Sequence, residues 1–425
     1  MSSKPRFTDH AYYPWIAVSV AAIFYCYEYF LRIAPSVMVF DLRQSFGIDA
    51  YLFGNLVAFY YYAYTPMQIP VGLLFDRFGV RWLLFFACLM CAMGSLLFAY
   101  TDVLMIAKIG RFIMGFGSAF AFVGVLALAG QWLSSRYFAF IAGLTTSLGM
   151  FGAMEGELIL AKITEDLGWQ MTMVYAGYAG LVLSVIMLLI IRDNPNRRKM
   201  DSTRNAVITF AQSLRRVLAI GPVWLAGIVG ALLYLSLSVF AELWAVPFLQ
   251  VAYSFTRIEA AQAITLVYLG WALGGPLIGL ISDRLNLRSL PLVLGAVAAL
   301  ACIIVVLYLP GLPVPLLYAA LFGYGFFCGA EVIIFAISKE CSAPELGGTA
   351  VAVVNMITML AGAILQPWVG KMLDQFWTEG VVDNMRVYSL EHYQLALMVL
   401  PIGLGLAIFF CLALPRRGVR PELSV

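Results

Sequence analysis

Long apolar runs alternate with short polar segments along the whole chain, and twelve of them reach about the 20 residues that a helix needs to cross a bilayer. They fall near 14 to 40, 51 to 74, 82 to 100, 104 to 131, 137 to 161, 169 to 191, 222 to 250, 260 to 281, 290 to 309, 313 to 337, 347 to 372 and 393 to 414. In hydrocarbon every backbone amide must find its partner inside its own segment, so the pattern predicts an all-α membrane protein with twelve transmembrane helices. The first run follows a short polar start, exceeds a signal-peptide core in length and lacks a small-residue cleavage site. It is expected to remain in the mature protein.

One polar segment occurs twice. Gly72-Leu-Leu-Phe-Asp76-Arg77-Phe-Gly79-Val-Arg81 returns as Gly279-Leu-Ile-Ser-Asp283-Arg284-Leu-Asn286-Leu-Arg288, displaced by 207 positions. A charged cassette repeated at half the chain length predicts a duplicated fold, with two pseudo-symmetric six-helix bundles at 1–192 and 222–425. Glycine is expected to end one helix in each cassette before the arginines meet water, and Asn286 can keep the tight turn of Gly79 because it tolerates left-handed backbone. Between the bundles, residues 193–221 form a linker. It carries Arg197, Arg198, Lys199, Arg204, Arg215 and Arg216 around an amphipathic stretch, Val207 to Leu218, that suits anionic headgroups or a docking protein.

Composition sharpens this picture. The chain is 63% hydrophobic and 12% charged, with a net charge of +3, and of its 26 basic residues 18 fall on the side of the two cassettes and the termini. Positive residues stay on the cytoplasmic side, so both ends are expected inside a bacterial inner membrane. That placement accounts for the basic excess and leaves no case for a nucleic-acid partner. Seven cysteines show no metal or disulfide spacing, and no nucleotide loop or nucleophile triad appears. Neither an enzyme nor a cofactor is expected.

Ionisable residues at depth are costly in lipid, and few are present here. Tyr25, Glu28, Tyr29 and Arg32 share one stripe of the first helix, with Glu28 and Arg32 one turn apart and Pro35 loosening the end. The seventh helix repeats a polar stripe at Tyr234, Ser238 and Glu242, where Glu242 is either a solvated residue at the mouth or a buried proton carrier. Glu331 in the tenth helix is a candidate second site or inner gate. Tyr61, Tyr64 and Gln68 on the second helix, with Asn355, Thr358, Gly362 and Gln366 on the eleventh, offer neutral hydrogen-bonding groups for a small polar solute, or interfacial packing in the case of the tyrosines. Gly149, Gly152 and Gly156 on the fifth helix are expected to permit close packing, with Glu155 and Glu157 near its outer end. Both histidines, His10 and His392, lie outside the runs, so a transmembrane proton would ride on carboxylates.

The repeated cassette, the twelve runs in two halves and Arg111-Phe-Ile-Met-Gly115-Phe-Gly117-Ser118-Ala119 in the fourth helix resemble the major facilitator superfamily. Phe24-Tyr-Cys-Tyr-Glu28-Tyr-Phe-Leu-Arg32, Tyr60-Tyr-Tyr-Ala-Tyr64-Thr-Pro66, Glu242-Leu-Trp244 and Gln366-Pro367-Trp368 are further similar to phagosomal nutrient transporters and to a lysosomal dipeptide-carrier branch. The resemblance implies alternating access about a midplane cavity, with uptake of amino acids, small peptides or nucleosides driven by protons. It also implies that the first and fourth helices border the cavity.

Glu28 lies roughly 21 Å from the start of its helix and Arg111 roughly 10 Å from the opposite face, which puts both at one level. A Glu28–Arg111 contact is therefore expected, with Arg32 nearer the outer mouth. It would act as a proton sensor or as a fixed ion pair. Gly72, Asp76, Arg77 and Arg81, with Gly279, Asp283, Arg284 and Arg288, are expected to latch the halves or simply to anchor the loops. An efflux antiporter, a siderophore or organic-anion carrier and a non-transporting nutrient receptor are the rival readings. The fifth helix lacks the proline of the superfamily's antiporter motif, which weighs against the first. A monomer in lipid, with protons and a small molecule as partners, is the expectation.

Overall fold

The computed structural model describes residues 12–133, 137–194, 210–309, 311–378, 380–382 and 385–416. Ten continuous helices among them are long and apolar enough to cross a membrane. The difference from twelve has two local causes. The expected second run is divided into α3 (Ala50–Met67) and α4 (Val71–Phe78) at the turn around Gln68, where Pro66 and Pro70 remove amide donors, and α3, with Tyr51, Tyr60, Tyr61, Tyr62 and Tyr64, is long enough but not apolar enough to be counted. The expected fifth and sixth runs are fused in α8 (Phe138–Ile190), whose 53 residues would reach about 80 Å if straight. No bilayer is that thick, and the helix folds back at Gly168, where φ is 81°. The loop expected at 162–168 is thus a single glycine joint, and the crossings number twelve.

The first six crossings are α1 (Tyr13–Val37), α3 with α4, α5 (Val80–Ala99), α6 (Leu104–Ser118) continued by α7 (Ala121–Trp132), and the two arms of α8. A short α2 (Val39–Phe46) follows α1. In the linker, α9 (Phe210–Leu218) carries Arg215 and Arg216, whereas Arg197 to Arg204 and Val207 to Thr209 lie outside the described residues, as does His10. The seventh crossing is α10 (Gly221–Leu235), a π-helical segment (Ser236–Trp244) and α11 (Ala245–Tyr253). Then come α12 (Arg257–Leu285), α13 (Ser289–Tyr308), α14 (Val314–Cys328) with α15 (Ile333–Glu340), α16 (Gly347–Phe376), and α17 (Leu390–Ala396) with α18 (Val399–Leu412). A two-residue hairpin, Val381–Val382 with Met385–Arg386, precedes α17.

A cassette glycine does end its helix in the first copy, but it is Gly79, and in the second copy Asn286 takes that place. Gly72 lies inside α4 and Gly279 inside α12, and the turns come at Gly79 (φ 83°) and Asn286 (φ 52°). Asparagine does hold the positive φ that glycine holds in the first copy. The fifth-helix glycines pack as expected: a Cβ on Gly149 would stand 2.5 Å from the Tyr25 ring, and one on Gly152 would stand 3.0 Å from the Cys26 Cα. Close approach of α8 to α1 is what brings Tyr25 and Tyr29 inward.

Candidate functional site

Where α1, α3 and the π segment meet, a polar cluster spans the two halves. Glu28, Arg32, Arg111 and Glu242 are all at most 2% exposed. Arg32 donates to Glu28 one turn before it, as the spacing predicts. Tyr60 donates to the same Glu28 oxygen at 3.0 Å. Arg32 also donates across the interface to the Tyr234 hydroxyl at 3.3 Å, Tyr234 donates to Glu242 at 3.4 Å, and the Tyr61 hydroxyl donates to the other Glu242 oxygen. The guanidinium is flanked by the rings of Tyr29 and Tyr64, at 4.5 and 4.7 Å to their centroids. One cation thus stands between two carboxylates from opposite halves, inside a tyrosine cage. Glu28 Oε2 is buried with no protein partner.

The expected Glu28–Arg111 contact is not formed. Arg111 instead donates to the carbonyls of Leu31 at 2.8 Å and Arg32 at 3.4 Å, with its guanidinium 4.9 Å from the Tyr60 centroid. The reason is Pro35. Without an amide hydrogen it leaves the Leu31 carbonyl, four residues back, with no helical donor, and a buried carbonyl needs one. Pro35 was visible in the sequence, but not the lateral register that puts Arg111 opposite its vacancy. Arg32 is likewise no mouth residue, since it sits at the centre of the cluster.

The second half places a side-chain donor on a backbone carbonyl of its own. Gln366 of α16 donates to the Ser238 carbonyl at 2.6 Å within the π segment, and the Trp244 indole donates to the Gln366 carbonyl at 3.2 Å. The wide π turn seats Glu242 against Tyr61 and Tyr234, so the alternative of a solvated mouth residue is set aside. Asn355 donates to the Gln68 side chain at 2.9 Å, again between halves. Tyr25 packs its ring on Tyr29 at 5.2 Å. Glu331 does not join this cluster. It lies in a 3₁₀ turn, Gly329–Val332, is 6% exposed and has no charged partner among the described residues.

The face opposite the cassettes is held by contacts that sequence reading missed. Arg257 pairs with Asp41 at 2.7 Å. Asp374 of α16 accepts from the Tyr51 amide at 2.7 Å, and the Tyr388 hydroxyl accepts from the Ala50 amide at 3.2 Å, so two free donors at the start of α3 are satisfied from the other half. Arg43 donates to the Arg386 carbonyl at 3.0 Å. The contacts named here that join the halves lie at the level of Gln68 and Asn355 or beyond it, toward the face opposite the cassettes. The molecule is closed on the far face.

The cassettes differ in their partners. Arg288 reaches Asp283 at 2.6 Å and Glu340 at 2.5 Å, both in its own half. Arg81 donates to the Leu188 carbonyl at 3.0 Å, while Asp193 accepts from the Val80 amide at 2.6 Å and caps α5. Asp76 lies in α4, but its side chain is outside the described residues. Arg77 and Arg284 are exposed. An apolar groove of about 450 Å³ between α1 and the second arm of α8, lined by Ile23, Tyr178, Val182 and Ile186, faces outward and does not reach Arg32.

Twelve crossings around a buried, two-sided ionic cluster define a membrane carrier fold, and the chain belongs to the Major Facilitator Superfamily, whose family model matches residues 18–366. It is 22% identical to the probable galactarate/D-glucarate transporter GudP of Escherichia coli (strain K12), over 93% of this chain and 94% of that one. It is also 22% identical to the membrane sensor protein UhpC of the same strain, over 84% and 85%. The crystal structure of a bacterial homolog to the human lysosomal transporter Spinster, inward-facing and occupied, superposes with a TM-score of 0.77 at 14% identity, covering 95% of this chain and 97% of that one. The family and the fold are those of multi-pass membrane transporters.

Proposed function

We propose that the protein is a proton-coupled secondary transporter that imports a small organic solute bearing a carboxylate across the bacterial inner membrane. The carrying observation is Arg32, a buried cation tied at once to Glu28 of the first half and, through Tyr234, to Glu242 of the second. A proton on Glu28 weakens its hold on Arg32, and the guanidinium then accepts the solute's carboxylate with bidentate geometry. Tyr25, Tyr29, Tyr61 and Tyr64 enclose the solute, while Ser238, Gln68, Asn355 and Gln366 hold the halves in register around it. Arg111 acts by fixing the Pro35 break, not by touching Glu28. Glu331 is a further proton site on the cassette side.

Amino acids, small peptides and sugar acids carry the required carboxylate, whereas nucleosides do not. The likeness to a probable transporter of galactarate and D-glucarate supports the anion reading. With the basic face inside, both termini are cytoplasmic, residues 1–192 and 222–425 are the two moving bundles, and this conformation opens inward. The cassettes latch the cytoplasmic side in the alternate state. A second reading, a solute sensor that binds without transporting, is favoured by the likeness to UhpC.

The test is uptake of labelled amino acids, dipeptides, sugar acids and nucleosides into proteoliposomes with and without an inward proton gradient. Accumulation by the wild type that Glu28→Gln loses while keeping solute exchange supports the reading. Accumulation unchanged in Glu28→Gln overturns the role of Glu28, and binding with no flux establishes the sensor.

A further inference from the structure

Glu157 is a buried carboxyl outside the Arg32 cluster. It lies in the first arm of α8, about 16 Å before the Gly168 joint, and is 0% exposed. Its Oε1 stands 2.7 Å from Ser36 Oγ, and the same Oγ stands 2.7 Å from the Ile33 carbonyl oxygen. A serine hydroxyl has one hydrogen to give, and a backbone carbonyl has none. One hydroxyl hydrogen serves two acceptors poorly at such short range, and a proton on Glu157 would supply the second hydrogen. Ser36 would then donate to Ile33 and accept from Glu157.

Its second oxygen agrees with a neutral acid. Glu157 Oε2 is buried with no hydrogen-bond partner among the described residues, a place where a full negative charge would be left without donors. The titratable groups that face it are the Tyr268 phenol of α12, itself buried and unpartnered, and the Glu242 carboxyl of the π segment. No arginine, lysine or histidine among the described residues pairs with it. α8 and α12 belong to opposite halves and pack against each other, and Tyr268 of α12 faces Glu157 across that contact.

We propose that Glu157 is an additional proton-binding site, distinct from Glu28 and Glu331, whose occupancy is required for the far face to close. When α8 and α12 part, water reaches the carboxyl, and a hydronium ion there gives its proton to the carboxylate and leaves as water. Closure then buries a neutral acid hydrogen-bonded to Ser36. With the far side alkaline the site stays ionised and hydrated, and the open state is favoured. The sign is fixed: the closed state holds the extra proton, so it is lost as pH rises.

Two readouts test this without any solute, so they stand or fall apart from the transport reading. Infrared spectra of the protein in lipid at neutral pH are expected to show a protonated-carboxyl stretch that Glu157→Gln removes and Glu28→Gln leaves. Ser36→Ala, which deletes the hydroxyl that meets Glu157 and leaves the carboxyl in place, is expected to shift that band, and this covers the case in which Glu157→Gln fails to fold. Hydrogen exchange of the segment containing Ala50 and Tyr51, corrected for intrinsic rates, is expected to speed up with pH in the wild type and to become independent of pH in Glu157→Gln. A band untouched by either substitution, or identical pH responses in wild type and Glu157→Gln, overturns the proposal.

Discussion

The first and seventh crossings hold equivalent places in the two halves, and each combines a buried carboxylate with a deliberate fault in its helix. In α1 the fault is Pro35, and the carbonyl it frees is satisfied by Arg111. In the seventh crossing the fault is a π segment, and the carbonyl of Ser238 is met by the neutral amide of Gln366. Both cations of the cluster belong to the first half, while the second contributes Glu242 and Tyr234. Duplication has kept the geometry and divided the charge, so the halves attract across the interface and neither is balanced alone.

The comparison can be broken most sharply at Arg32. Arg32→Met leaves Glu28 and Glu242 buried without a counter-ion, and loss of one partner of such a group costs about 3–5 kcal/mol. Thermal unfolding in detergent is expected to show the largest drop of any single substitution in the cluster. Adding Glu28→Gln and Glu242→Gln should recover much of it, and a triple variant as unstable as Arg32→Met would show that packing, not charge, sets the loss.

Next comes Arg111→Ala, which strands the Leu31 carbonyl for about 1–3 kcal/mol. Gln366→Leu removes one neutral bond in the other half and is expected to cost about 1 kcal/mol. Equal losses, measured side by side, would erase the asymmetry drawn here. The smallest effects are expected at the cassettes. Arg288→Ala, which gives up Asp283 and Glu340, should destabilise measurably, whereas Arg284→Ala at an exposed position should stay within about 0.5 kcal/mol of the wild type.

Much of this was legible along the chain, because the relevant physics is local. Apolar length gives the crossings, the i, i+4 spacing gives the Glu28–Arg32 pair, and positive φ at Gly79 and Asn286 follows from residues that tolerate it. Depth along an axis was legible too, and it put Glu28 and Arg111 at one level. Depth says nothing about which way two helices face each other, and that is why their expected contact failed.

Lateral register is decided by packing of whole helices, through glycines such as Gly149 and Gly152 and through the carbonyl that Pro35 sets free. Only the tertiary structure could therefore show that Arg111 mends α1, that Glu242 is sealed between Tyr61 and Tyr234, and that Ser36 meets Glu157. The sequence alone determined a duplicated twelve-helix membrane protein with a few buried charges, since hydrocarbon allows little else. Which charge meets which was left to contacts between residues such as Arg43 and Arg386, 343 positions apart. Those pairings arise from the fit of surfaces, and no local rule of spacing encodes them.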